Sequence, residues 1–532
     1  MYRKNKRHLQ ENLFDFTSLI SGPMQNDIMV SEEYLLYELI FSRINEDDFR
    51  CLYSDIDSRP NAPVNCIVTA IFLQNRRHWS YAQLIDNIKF NLLTKVALGL
   101  RSIDEVPFVE ATVFNFLSRL SQHFVATGEN LLERVFDALT QQQLTSLKLK
   151  TDIQRTDSFQ AVSNIRTYTR LRLLVEMLIR LHRALSPEDQ TRCEELFAPY
   201  IQKTSGQYIY GLSKDDLDGQ LAAIGAVYHQ VHTMLAATYQ DVEVFRIFSR
   251  VYADHFAIVE ERVVVRPGAE MGTDTVQSPD DLDATYRFKS GRSYQGQAVN
   301  VVETAHPDNP LQLIIDVTVA KNNRDDSDIL HERIDAIKEK TPDLDEMHHD
   351  GGFGSEENDT KFAHHGVTVI QTGIKGFAAK GVPIEITEVS PDWYTVSCPS
   401  QTVQASPSWT RWKADFLQEG CAGCAMSEEC QLKKTKAGRV YYFNRAEYLK
   451  KKRLKNIETI DKERRTLRAN VEATVAEFKR KMHNGKLKVR GRFRTTVFAF
   501  SMAVSINFGR IYRHRYRKKR PRRKVSSVYA AA

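Results

Sequence analysis

Two runs rich in strand-forming residues, Tyr294–Thr304 and Leu311–Ala320, stand side by side with the turn-rich HPDNP between them. Such runs, bounded by Pro, Asn and Asp, predict two strands joined by a turn. Upstream, the hydrophobic period is again two. Leu147, Leu149, Ile153 and Asp157 share one side, while Lys148, Lys150, Asp152 and Gln154 share the other. This predicts a strand that ends at Thr156-Asp157-Ser158, with Asp157 on the apolar side. Between this strand and the pair lies a long helical stretch. Leu171, Leu174, Leu178, Leu181 and Leu185 alternate spacings of three and four, helical character persists to about Phe256, and residues 262–292 read as loop. Downstream come an amphipathic helix over Ser327–Lys340, a short strand before Asp350, a helix, and a strand over Val367–Ile374. That order describes a mixed α/β sheet interrupted by a large insertion.

The remaining segments frame this sheet. Residues from about Met29 to Gln122 read as helical, with Leu84, Ile88, Leu92 and Val96 at near-helical intervals, a capping box at Ser80 and Gln83, and a break at SRPNAP. Residues 385–445 read as an irregular insert with four cysteines, and Ala446–Lys481 as a long charged helical segment. The longest uncharged apolar run, Thr495–Phe508, is too short to span a bilayer and suits a buried helix. At 532 residues the chain has room for two to four units.

Charge is unevenly spread. From Ala446 onward there are 27 Lys/Arg and 6 Asp/Glu, a net +21, so the formal total of +7 leaves −14 for the rest. A basic end on a mildly acidic body points to a polyanionic partner, most simply nucleic acid. The tail from Arg510 to Lys524 holds ten Lys/Arg and no acid, with Tyr512 and Tyr516 interleaved. Arg517, Lys518, Lys519 and Arg520 at its centre are candidate phosphate contacts, the alternative being a solubilising tail. Seven clustered cysteines do not form a secreted disulfide framework, and the basic N-terminus lacks the apolar core of a signal peptide. These features predict a cytoplasmic protein with free thiols and no membrane partner.

Three acids are candidates for metal-dependent phosphoryl chemistry, which needs carboxylates converging on two hard cations. Asp157 stands at a strand end. Asp350 precedes two glycines, where the backbone can turn sharply. Glu472 lies in Arg465-x2-Arg468-x3-Glu472-x6-Lys479, whose spacing brings Arg468, Glu472 and Lys479 near one helix face. A carboxylate flanked by cations suits a site for both metal and phosphate. Asp316, Asp325, Asp326 and Asp328 compete with Asp350, and Asp152 competes with Asp157 from the opposite strand face. A lone Asp at a strand end is usually a turn or cap residue, and Arg468–Glu472 alone could be a plain helix ion pair. His348 and His349 read as a solvated loop pair rather than metal ligands.

This constellation resembles the bacterial insertion-sequence transposases of the DDE class, whose signature around the catalytic glutamate is Tyr-x2-Arg-x3-Glu-x6-Lys. Arg468, Glu472 and Lys479 match it, while Arg465 stands where the tyrosine is usual. TDS at Thr156–Ser158 is similar to the first catalytic aspartate of the family, DGGF at Asp350–Phe353 to the second, and SRPNAP…WSYAQL to its helical N-terminal domain. The resemblance implies an RNase H-like catalytic core in which Asp157, Asp350 and Glu472 hold Mg²⁺ or Mn²⁺. It implies cleavage and strand transfer of element-end and target DNA, DNA phosphates held by Arg468 and Lys479, and a working homodimer associated with the bacterial nucleoid. In this reading residues 1–140 are the helical N-terminal domain, and 141–164 and 293–384 are core. Residues 165–292 are a helical insertion and 385–445 a cysteine-containing one. Residues 446–509 are the core helices bearing the glutamate, and 510–532 the basic tail. Two other readings stand beside it: an inactive or domesticated DNA-binding relative, and a nuclease of the same fold without strand transfer.

The cysteines pose a separate question. Cys398, Cys421, Cys424 and Cys430 form C-P-x21-C-x2-C-x5-C, and related transposases look similar here. Four thiolates could close a structural Zn²⁺ site, and a complete shell would exclude a catalytic zinc. The alternative is four unmetallated thiols. Cys51, Cys66 and Cys193 read as ordinary core or surface residues.

Overall fold

The computed structural model describes residues 1–10, 15–56, 59–201, 204–210, 212–213, 216–372, 382–390, 392–483 and 485–517. Fourteen strands appear among them. In chain order they begin with β1 (Ile153–Val162), β2 (Phe256–Val259), β3 (Arg262–Val265), β4 (Thr285–Lys289), β5 (Arg292–Thr304), β6 (Ile314–Lys321), β7 (Glu346–His349) and β8 (Thr368–Gln371). The others are β9 (Glu385–Ser390), β10 (Trp393–Ser397), β11 (Thr402–Ser408), β12 (Arg411–Leu417), β13 (Lys433–Thr435) and β14 (Gly438–Phe443).

The main sheet runs β4-β5-β1-β7-β8, with β6 also on β5. β1 pairs antiparallel with β5, from Gln154↔Thr304 to Val162↔Gly296, and parallel with β7. β7 and β8 are parallel, while β5 is antiparallel to both β4 and β6. This is the mixed α/β sheet expected. Strand β1 is shifted from expectation. Leu147 closes the helix Leu131–Leu147 with Lys148 in the left-handed region, and the strand begins only at Ile153 and runs on to Val162. Asp157 therefore lies mid-strand, on the face it shares with Arg155 and Phe159. Residues 262–292 also hold more structure than a loop: β3 pairs with β2, and β4 with β5.

Both faces of the sheet are covered. On one face Phe159, Ala161, Val299, Val301, Val317 and Val319 join a core that includes the N-terminal helices and Val497–Phe508. The apolar run Thr495–Phe508 is thus a buried helix, as its composition predicts, inside Arg492–Arg517. It lies against the helices Val64–Arg77 and Leu131–Leu147 on one side and β6 on the other. On the opposite face, Val302, Ile315 and Met347 pack with Leu330, Ile334, Ile337 and Phe362 from the helices Asp326–Lys340 and Glu356–His364. The Ser80–Gln83 capping box is formed. Among the described residues no helix is long and apolar enough to cross a membrane.

The stretch between β1 and β4 has its own core. Leu171, Leu174, Leu178, Leu181 and Leu185 are all buried, against Tyr228, Val231, Leu235, Phe245 and Phe248. His255 ends the helix Glu243–His255 within it, 2% exposed, and its Nδ1 accepts from Arg170 Nε at 3.1 Å. Burial first, then the Arg170 charge, push its imidazole down to about 4 from 6.5. The unfolded chain therefore binds a proton here that the fold refuses between those values. Stability is complete above pH 6.5 and falls as pH drops toward 4, by about 2 kcal/mol between pH 6.5 and 5 for this group. Urea unfolding at those two pH values should show a smaller loss in His255→Gln than in the parent protein.

Residues 385–443 are not irregular. β13-β14-β12-β11-β10-β9 form an antiparallel sheet whose inner face buries Ile386, Tyr394, Val396, Ala405, Ala414, Phe416 and Phe443. The charged segment after it is three helices rather than one: Arg445–Thr459, Lys462–Ala469 and Val471–Lys479. Asp461 caps the second by accepting from Arg464 N at 2.8 Å, and Asn470 joins the second to the third.

Candidate active site

Strands β1 and β7 are parallel neighbours, so Asp157 on β1 and Asp350, the residue after β7, reach the same region of the sheet. Glu472 arrives from above. The helix Val471–Lys479 buries Val471, Thr474, Val475 and Phe478, spaced by three, one and three, with the Phe478 ring 5.3 Å from that of Phe159. This face is fixed by packing, which leaves Glu472 in the first turn pointing out, its side chain 64% exposed. Asp157 by contrast is 14% exposed.

One guanidinium joins the three acids. Arg468 lies 3.2 Å from Asp157 Oδ2, 3.5 Å from Asp350 Oδ2 and 3.0 Å from Glu472 Oε1. Its ion pair with Glu472 crosses the Asn470 junction instead of running along one continuous helix. Burial raises the Asp157 carboxyl above its usual range. Arg468 and the Ser158 amide pull it down, and Asp350 and Asp326 push it up again. That balance marks a carboxylate among like charges, the condition in which a cation is most stabilising.

Asp350 Oδ1 accepts from Gly352 N at 2.9 Å, capping the short turn Gly351–Phe353. The glycines do not supply a left-handed turn here, since neither Gly351 nor Gly352 has positive φ. Gly352 matters through proximity: a Cβ there would stand 3.2 Å from Asp350 Oδ1 and 3.6 Å from Asp326 Oδ2. His348 and His349 are not a solvated loop pair. Both are buried in β7, and burial pushes both imidazoles down to about 4.

The competing acids separate by position. Asp316 is fully buried and paired with Arg333 at 2.5 Å and Lys340 at 3.1 Å. Asp152 lies before β1, 3.6 Å from His306. Asp326 alone of the four competitors of Asp350 stands near the three acids: its Oδ1 accepts from Ser158 Oγ at 2.6 Å, and Lys289 lies 3.5 Å from its Oδ2. It is a fourth carboxylate of this region.

Beneath the acids lies a buried charge network. Glu303 on β5 is wholly buried and takes Arg155 Nε at 2.7 Å, Arg510 Nη1 at 2.7 Å and Thr474 Oγ1 at 2.7 Å. Arg155 also donates to Leu467 O at 2.8 Å. Arg155 is two residues before Asp157, Thr474 two after Glu472, and Leu467 one before Arg468. The network therefore ties the segments that carry Asp157, Arg468 and Glu472 to one another and to β5. Arg510, expected in a basic tail, instead sits in the helix Arg492–Arg517 with its guanidinium turned inward onto Glu303. Sequence reasoning missed Glu303, because an acid in an apolar strand gives no sign of its partners 148 to 207 residues away.

Lys479 is exposed, two turns beyond Glu472. Arg517 is the last described residue, its side chain undescribed like that of Arg465, and Lys518, Lys519 and Arg520 lie outside the described residues.

The four cysteines line one small cavity together with Val382, Phe416, Leu432 and Arg439. They come from the end of β10, the helix Gln418–Ala422 and the loop before β13. Gln401 Nε2 lies 3.5 Å from Cys421 Sγ, and Arg439 donates to Cys430 O at 2.8 Å. Burial raises the Cys421 thiol, Arg439 lowers it, and the three other thiols raise it further. Cys51 is exposed, Cys66 and Cys193 are buried, and all seven cysteines are free.

All three acids offer hard oxygen donors and already converge on one cation, Arg468, which suits Mg²⁺ or Mn²⁺. Their present arrangement is that of an ion-pair cluster: among the described residues no three acidic, histidine or cysteine side chains are set to hold a metal ion.

These features define a protein with an acidic centre on a mixed sheet and a cation-rich C-terminal helical segment. A family model described as a transposase DDE domain matches residues 397–512, from the end of β10 into the C-terminal helix. The resemblance to DDE-class transposases holds over that stretch, which includes Arg468, Glu472 and all four clustered cysteines and stops short of Asp157 and Asp350. No curated protein and no solved structure matches this chain.

Proposed function

We propose that this protein is a DDE transposase that cuts DNA at the ends of an insertion sequence and joins the freed ends to target DNA. The observation that carries this reading is the convergence of Asp157, Asp350 and Glu472 on Arg468, with Glu472 inside the transposase-like stretch. The sheet is then the RNase H-like core, with one insertion of helices after β1 and one of strands after β8.

Asp157, Asp350 and Glu472 would hold divalent cations, which when bound activate the attacking oxygen and stabilise the leaving one. Arg468 offsets part of the acids' charge in the free protein and, released from them, offers two donors to a phosphate. Lys479 holds a phosphate further along the strand. Asp157 gives the site a buried side, while Asp350 and Glu472 open it to solvent. Much of the rate enhancement comes from positioning and charge stabilisation. The working form is a homodimer acting on DNA in the bacterial cytoplasm.

The test uses the DNA flanking the gene. Purified protein, a labelled duplex carrying the flanking inverted repeat, and Mg²⁺ or Mn²⁺ should yield nicked ends and joined products. Binding without cleavage in either metal would favour an inactive relative, and cleavage without joining a plain nuclease.

The cysteine cavity is assigned to structural zinc. Four thiols line one cavity and offer the donor types of a closed tetrahedral site, although they are not now set to hold a metal ion, and bound zinc would staple the strand insertion. Metal analysis of freshly purified, unchelated protein should find about one zinc per chain, and Cys424→Ser should lose it. Zinc well below one equivalent in the parent protein would sink this assignment.

A further inference from the structure

Away from the acids, a cleft opens between the C-terminal ends of the helices Val64–Arg77 and Val471–Lys479, over Ser505 and Gly509 of the C-terminal helix. Five cations line it: Arg76, Arg77, Arg480, Lys481 and Arg513. The acids that line it are Glu32 and Glu477. Glu32 is committed to Arg76, 2.6 Å from its Nε, and to Arg77 at 3.3 Å. Among the described residues the ion pairs of Glu477 are long, 3.7 Å to Arg513 and 4.0 Å to Arg510.

Arg77 also pairs with Glu33 beside the cleft, so the excess charge falls on Arg480 and Lys481. Among the described residues neither Arg480 nor Lys481 has an ion pair, and the Lys481 ammonium donates to the Arg76 carbonyl at 2.9 Å. Two guanidiniums also crowd together over Gly509: a Cβ there would stand 3.2 Å from Arg76 Nη1 and 3.6 Å from Arg513 Nη1. Arg76 is held there by Glu32 and Arg513 is half-exposed beside Glu477, so the cations gathered around the cleft favour a further anion that can reach them from solvent. Burial, then Arg76 and Arg77, hold the Lys481 amine below its usual range, in keeping with that crowding.

The direction of the cations identifies the anion. Lys479, Arg480 and Lys481 are consecutive, and they continue the helix whose first turn carries Glu472, about 10 Å away along its axis. A polymer with a phosphate at each step can touch the acidic centre, Lys479 and the cleft in one path. A free phosphate would meet only one of them.

We infer that this cleft binds the phosphate backbone of duplex DNA leaving the acidic site, so that the N-terminal helices and the Glu472 helix grip the same strand. This rests on the transposase reading and adds to it a second, non-catalytic contact surface.

The test is fluorescence anisotropy of the full chain with a labelled duplex of arbitrary sequence over a range of salt concentrations. Each phosphate contact contributes a slope of about 0.9 in log K against log salt. Arg480→Gln/Lys481→Gln should make the slope shallower by about 1.8, and Arg480→Gln alone, at an exposed position, by about 0.9. Lys433→Gln/Lys434→Gln, on exposed β13, should leave it unchanged. An unchanged slope in the cleft variants overturns the inference, and so does an equal fall in the β13 control, which would mean diffuse attraction. A parent protein that binds an acidic protein but no duplex overturns both this inference and the transposase reading. Asp157→Asn separates the two: cleavage lost with the salt slope intact, beside cleft variants that keep the parent slope, would leave the transposase reading standing and the cleft refuted.

Discussion

Asp157→Asn should lower Mg²⁺-dependent cleavage of element-end DNA by about 10³-fold or more, or roughly 4 kcal/mol on the barrier, while end binding persists. The reason is its setting. Asp157 is the most buried of the three acids, and its anionic form stands against desolvation and two neighbouring carboxylates. An amide of the same shape keeps the packing and removes the charge that would attract a cation. Asp350→Asn and Glu472→Gln should behave alike, although Glu472 is exposed and its loss should leave folding untouched. A time course of nicking by each purified variant measures this, and normal nicking by any of the three would remove that residue from the site.

The second large effect concerns folding. Glu303→Ala should destabilise the protein by about 3–5 kcal/mol, since it strands the Arg155 and Arg510 charges in the core. Glu303→Gln keeps two acceptor positions on one oxygen and should cost less. Chemical denaturation compares them. The same network positions three segments of the acidic site. Glu303→Gln, where it folds, should therefore cleave more slowly at saturating metal, with DNA binding close to that of the parent protein. Equal stability of Glu303→Ala and the parent would show that the two arginines find water or other partners.

How much of this was legible beforehand depended on the range of the signal. The leucine stripe of the helical insertion and the apolar helix Thr495–Phe508 were readable because a helix writes its buried face into nearest-neighbour spacing. The start of β1 was not. Its residues pair on both edges and are covered on both faces, so polar Gln154, Arg155 and Thr156 are as buried as Phe159, and the alternation of a half-exposed strand is lost. The strand insertion looked irregular because its short strands are joined by Gly, Pro and Cys-rich turns. Asp157, Asp350 and Glu472 could be nominated from local motifs, but their meeting at Arg468 is a tertiary fact. Asp326 and Glu303 carry no local motif at all. The glycines after Asp350 were noticed for the right position and the wrong reason: closeness to a carboxylate rather than a left-handed turn.

The packing of the C-terminal helix has a consequence for synthesis. Arg76 Nη1 reaches the carbonyl of Ser505 across 429 residues, and Arg155 reaches that of Leu467 across 312. The N-terminal helices and β1 cannot close their shared core until the last helix has been made. At about 5–20 residues per second that wait is roughly 20–90 s, during which apolar faces of the N-terminal helices stay open to chaperones or to aggregation. A product truncated before residue 492 would never close that core. Premature termination should thus yield insoluble fragments in place of free DNA-binding domains that compete for element ends.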